Sequence, residues 1–111
     1  MNLKEFKKLV DNRIKLINTT LILKQKEYAP ESDVLHNFKC AGKMDDCTPE
    51  RALQGMKTKH DVSIRDIIHK IEYNGEYPDV KLLEEKIGDS INYLILLEAL
   101  IKENIVKNEV S

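Results

Sequence analysis

Two short runs in this chain carry residue types that can do chemistry. In "EEKIGDSINY", Glu85, Asp89 and Asn92 stand at i, i+4 and i+7, so on a helix they form one polar stripe. In "KTKHDVSIRD", Lys59, His60, Ser63 and Asp66 offer a cation, an imidazole, a hydroxyl and a carboxylate within a few helical turns. Carboxylates one turn apart can hold Mg²⁺ against a substrate's phosphates. Lysine and histidine can hold phosphate directly, and an asparagine can hydrogen-bond a base or sugar edge.

Both runs interrupt faces that the surrounding sequence makes apolar. Projected at about 100° per residue, Ala52, Leu53, Met56, Ile64, Ile67, Ile68 and Ile71 share one broad face of the third helix. His60 falls near the middle of that face, with Lys59, Ser63 and Asp66 along one edge. On the fourth helix, Leu96 continues the stripe begun by Glu85, Asp89 and Asn92. Two like charges one turn apart repel by a few tenths of a kcal/mol even in water, and far more when desolvated. A solvated helix end, with Glu85 and Asp89 paired to Lys26, Lys59 or Arg65, accounts for the acids alone. It leaves Asn92 and the matching set on the third helix without a reason. The arrangement predicts a polar pocket shared by helices three and four. Lys24, Lys26, Glu27 and Tyr28 at the end of the first helix, Asn37 as an amide donor and Phe38 as a stacking surface can complete it. Taken singly, the lysines also fit a solvated helix end, Phe38 a core position, and His60 a hydrogen-bonded core histidine.

Four helices must position these groups. Leu3, Phe6, Val10, Ile14, Ile17 and Leu21 recur at steps of three and four, which predicts a first helix from Leu3 to about Tyr28, ended by Pro30. A shorter second helix follows in "ESDVLHNFKCAGKM", capped by Ser32 or Asp33, with Val34, Phe38 and Ala41 facing inward. Thr48 caps the third, Pro49 takes its first position, and it runs to about Ile71. Asn74-Gly75 reverses the chain, Pro78-Asp79 restarts it, and a fourth helix continues to about Asn104 before a frayed tail, "VKNEVS". The expectation is an all-α, four-helix bundle-like single domain over 1–111, with its core at about 3–104 and long first and last helices.

Composition bounds the function. With 111 residues, 41% hydrophobic and 33% charged, the chain suits one helix-rich domain. Lys and Arg number 18 against 19 Asp and Glu, a formal charge of −1, which argues against general nucleic-acid binding while leaving room for a small anion. No apolar run approaches the roughly 20 residues that span a bilayer, and no signal peptide is visible. The reading is therefore a cytoplasmic protein with no membrane partner, its Cys40 and Cys47 reduced. A zinc site from His36, Cys40, Cys47 and His60 matches none of the usual ligand spacings. The last helix is apolar on nearly every side from Ile91 to Ile101, more than so small a bundle can cover. That predicts a homo-oligomer using parts of the first and fourth helices.

The segments "EYAPESDVLHNFKCAG", "TPERALQGMKTKHDVSIRDI" and "EEKIGDSINYLILLEAL" resemble a group of small bacteriophage proteins, from about Lys24 to Ile101. That group is distantly similar to the MazG-like and dimeric dUTPase-like all-α nucleotide pyrophosphohydrolases and to the phage nucleotide-modification-associated helical domain. In those enzymes two acidic helix motifs face each other and hold Mg²⁺. The resemblance maps the second motif onto Glu85, Asp89, Asn92 and Tyr93. The first, a glutamate cluster, is missing: "KQKEYAPES" offers Glu27 and Glu31, and "HKIEYNGE" offers Glu72 and Glu76. Half a ligand set serves recognition better than hydrolysis, which needs metal to activate water. The resemblance thus implies a phage protein, at work in the infected host cell, that binds and sequesters a nucleotide-like phosphorylated ligand such as a host immune signal. The alternative is a Mg²⁺-dependent nucleoside triphosphate pyrophosphohydrolase, with Glu85 and Asp89 as metal ligands assisted by Asp66 or Glu27. There Lys59 would hold a phosphate and His60 would orient a water. A protein–protein adaptor, with the polar stripe setting helix register, is a third.

Overall fold

A computed structural model describes residues 1–23 and 33–110. It is all-α: four helices, and no strand among the described residues. They are α1 (Leu3–Asn18), α2 (His36–Met44), α3 (Pro49–Asn74) and α4 (Val80–Val110). The chain divides into two compact units, Met1–Val34 and Leu35–Ser111.

In the first unit, Asn2 caps α1 by accepting from the Glu5 N–H at 2.8 Å, and Lys7 pairs with Asp11 one turn on at 2.9 Å. No residue of α1 is buried. The predicted continuous helix to Tyr28 instead changes pitch at Asn18, where Thr19–Leu23 forms a π-helical turn. Two consecutive β-branched residues disfavour regular α geometry here. The Thr19 hydroxyl also donates to the Lys15 carbonyl oxygen at 3.0 Å, competing with the backbone ladder. Lys24 to Tyr28 lie outside the described residues.

In the second unit, α3 packs against both α2 and α4. Leu35, Phe38, Leu53 and Leu100 form the buried core, with Met56, Tyr93, Leu96, Leu97 and Ala99 packed around them. Leu53 and Leu100 are 0% and 1% exposed. The expected inward face of the second helix needs correcting. Leu35, at 3% exposed, takes the place assigned to Val34, which is 48% exposed. Leu35 also holds the N-cap position with no side-chain cap, so Asp33 does not cap α2, and Ser32 lies outside the described residues. On α3, Ile68 turns outward from the face predicted for it.

Local signals set the other boundaries. The Thr48 hydroxyl accepts from the Arg51 N–H at 3.1 Å, with Pro49 following as predicted. Gly75 ends α3 in the left-handed region, φ 66°, and its N–H donates to the Ile71 carbonyl at 3.1 Å. This carries α3 one turn beyond the predicted Ile71. Asp79 restarts the chain by accepting from the Leu82 N–H at 2.8 Å. The expected fray after Asn104 does not occur: α4 continues to Val110. Lys107 pairs with Glu103 one turn back at 3.1 Å, and Glu103 is itself held by Lys39 of α2 at 2.6 Å. Asn104 donates to Glu50, tying α4 to the start of α3. No helix among the described residues is long and apolar enough to cross a membrane.

The α2–α3 corner depends on a glycine. A Cβ at Gly42 would lie 2.8 Å from the Cys47 carbonyl oxygen and 3.0 Å from the Pro49 nitrogen, both backbone atoms. The Cys47 N–H closes the corner on the Gly42 carbonyl at 2.8 Å. Gly42→Ala should therefore cost about 1–3 kcal/mol through overpacking, despite alanine's better helix propensity. A urea titration followed by circular dichroism measures it, and an unchanged midpoint refutes the corner argument. A second expectation concerns acid. Lys39, and then Lys107, hold the Glu103 carboxyl below its ordinary 4.5. A depressed folded-state value gives stability that is present above the unfolded value and lost as pH falls through the folded one. Glu103→Gln should lower the melting temperature near neutrality and flatten its decline below about pH 4.5, read by melts across an acid series.

Candidate functional site

The seam between α3 and α4 gathers much of the predicted polar set. The two helices run as neighbours joined by a five-residue connector, so side chains at His60, Ser63, Ile67 and Lys70 descend one side. Those at Asp89, Lys86 and Leu82 descend the other. His60 Nδ1 lies 3.5 Å from Asp89 Oδ2, an ion-pair distance that charges the contact when the imidazole is protonated. The His60 ring also lies against Tyr93, with centroids 5.0 Å apart and planes tilted by 33°. Both His60 and Asp89 are partly sheltered, at 16% and 35% side-chain exposure.

One turn further along α4 from Asp89, Asn92 is 9% exposed and its Oδ1 has no hydrogen-bond partner; Ser90, 8% exposed, has an unpartnered Oγ. These are the buried side-chain polar atoms without a partner among the described residues. An orphaned buried acceptor costs about 1–3 kcal/mol, so its retention calls for a reason.

Toward the connector, Ser63 and Asp66 line a cavity of about 300 Å³ with Lys70, Glu76, Tyr77 and Lys86. Ile67, Pro78 and Leu82 give it an apolar floor. The Ser63 hydroxyl donates to the Lys59 carbonyl at 3.0 Å and keeps lone pairs to accept. Neither Lys70 nor Lys86 has an ion-pair partner among the described residues. Sequence reasoning missed both lysines, although helical spacing contains them: Lys70 is ten residues after His60, and Lys86 three before Asp89. Tyr77 had no periodic signal, because it belongs to the connector.

The remaining predicted residues fall elsewhere. Lys59 and Glu85 are exposed and do not join the His60–Asp89 contact, and Asn37 is exposed on α2. Phe38 is core, edge-on to Tyr93 at 6.2 Å, so it offers no open face for stacking. Lys26 and Tyr28 lie outside the described residues. A larger groove, about 1020 Å³, runs past the α2–α3 corner. Its charged lining is Asp45, Asp46, Glu50 and Asp61 against Arg51 and Lys57, with Lys57 already paired to Asp61 at 2.6 Å. Four acids against two bases make it a poor host for phosphate.

Metal fits less well. Among the described residues no three His, Cys, Asp or Glu side chains converge as a metal site. Glu85 points to solvent while Asp89 faces His60, so the acidic pair assigned to Mg²⁺ is split. Cys40 Sγ lies 3.4 Å from His36 Nε2 with no third ligand of that kind.

No protein-family model matches the chain, and neither a curated protein nor a solved structure is detectably similar to it.

The orphaned oxygen makes a prediction of its own. Asn92→Leu removes a buried, unpaired polar group and fills its space with carbon, so thermal stability should rise, by about 1–3 kcal/mol. A melting temperature that falls instead would mean that Asn92 has a structural partner in solution.

Proposed function

We propose that this chain recognises a nucleotide-like phosphorylated small molecule in the α3–α4 seam and holds it intact. The observation that carries the reading is the cavity walled by Lys70, Lys86 and Tyr77 beside the His60–Asp89 contact, with neither lysine in an ion pair among the described residues. Lys70 and Lys86 suit phosphate oxygens, which favour cations as charge-assisted donors. The exposed Tyr77 ring suits a base, since an aromatic face gives stacking at little conformational cost. At about 300 Å³ the cavity is at the small end of ligand sites. A mononucleotide, or one half of a larger signal, matches it better than a whole dinucleotide.

Holding is favoured over hydrolysis by the donor set. Turnover of a phosphoanhydride needs charge neutralisation and an activated water, and the acids here, Asp66 and Glu76 in the cavity and Asp89 beside His60, do not converge as a metal site among the described residues. In the phage setting that the sequence resembles, retention of an intact ligand amounts to sequestration of a host nucleotide signal, such as an ADP-ribose derivative.

The test incubates the protein with nucleotides and Mg²⁺, then chromatographs both the solution and whatever is released on denaturation. Intact ligand released from the protein is the expected result. Monophosphate with pyrophosphate would replace this reading with the pyrophosphohydrolase, and neither would leave an adaptor. Lys86→Ala should weaken calorimetric affinity about tenfold or more, by loss of one charge-assisted phosphate contact. Tyr77→Ala should weaken it as well, by loss of the stacking face. Equal affinity in both variants would place the ligand somewhere else.

A further inference from the structure

The C-terminal helix has a second apolar face that its own unit leaves open. On one side of α4, Tyr93, Leu96, Leu97 and Leu100 pack into the core. On the other, Val80, Ile87, Leu94 and Ile101 recur at seven-residue intervals, with Leu83, Ile91 and Ile105 filling the steps between. Val80, Leu83, Leu94, Ile101 and Ile105 are between 39% and 68% exposed. A seven-residue repeat sustained over the length of a helix is the pattern by which one long helix seats another.

We infer that this chain forms a homodimer in which the outer stripe of α4 packs on the same stripe of a second copy. Length agrees with that occupant: from Val80 to Ile105 the stripe runs about 38 Å at 1.5 Å per residue. A second α4 covers it from end to end. Exposure agrees: five of these apolar side chains, spaced along the whole stripe, keep 39% or more of their surface in water, as the uncovered half of a helix–helix interface would. Charge does not oppose self-pairing, because both signs flank the stripe, with Lys81, Glu84 and Lys86 toward one end and Lys102, Glu103 and Lys107 toward the other. Glu98 is the polar position inside the stripe, held by Lys102 at 2.7 Å. One such residue sets register between paired helices at some cost in affinity.

The proposal is independent of the ligand reading, and its test needs no ligand. Sedimentation velocity on the full chain, across a micromolar dilution series, should give twice the single-chain mass. Ile101→Glu with Ile105→Glu should return the single-chain mass with unchanged helical circular dichroism. A milder pair, Ile101→Ala with Ile105→Ala, keeps good helix formers and should raise the dimer dissociation constant by about tenfold or more, so the test does not hang on the charged variant folding. Wild-type protein at single-chain mass overturns the proposal. So does a dimer indifferent to both pairs, or one that Phe6→Glu in α1 dissociates while the α4 variants do not.

Discussion

Leu53 and Leu100 seal the second unit, and everything described in the α3–α4 seam depends on the contact they make possible. Among the described residues they are the largest side chains fully withdrawn from water, one near the start of α3 and one late in α4. Antiparallel helices pinned at one end must run alongside each other for the rest of their length. That places His60 opposite Asp89, and Ser63 and Ile67 opposite Lys86 and Leu82, without any further long-range contact being required. Among the described residues four apolar side chains are buried, and polar ties add to them. Lys39 and Lys107 converge on Glu103, and Asn104 on Glu50, so the far end of α4 is fastened to both α2 and α3 by charge and hydrogen bonding more than by area.

What the sequence made legible is what local chemistry decides. Thr48-Pro49 and Asn74-Gly75 mark the ends of α3 because capping and left-handed backbone depend on residues within one turn. The meeting of His60 with Asp89 was legible for a similar reason, since two amphipathic helices joined by a short turn have little choice of face. The start of α2 was not. Whether Val34 or Leu35 enters the core depends on which one Phe38 and Leu53 leave room for, and that is a tertiary fact. The last turns of α4 look polar and terminal in sequence, yet Glu103 and Lys107 support each other one turn apart and Glu103 is anchored across to α2.

The site shows the same division. Helical projection put Ser63 and Asp66 where the cavity wall is, whereas Lys59 and Glu85 are exposed. Lys59 is one position, a rotation of about 100°, from His60, and Glu85 shares the side of Asp89 but lies one turn nearer the start of α4. Tyr77 was invisible because no periodicity governs the connector that carries it. Phe38 illustrates the converse hazard: an aromatic beside polar neighbours in sequence turned out to be core, and its ring edge serves Tyr93.

The five residues from Gly75 to Asp79 have one more consequence. The connector is clamped at one end by a left-handed glycine bonded back to Ile71 and at the other by the Asp79 carboxylate on the Leu82 N–H. Glu76, Tyr77 and Pro78, which form one wall of the cavity, are thus ordered by the fold itself. The entropy lost in fixing that wall is charged to folding, not to association. A guest of the proposed kind would meet a preorganised surface there, and its affinity would reflect contacts more than the cost of assembling them.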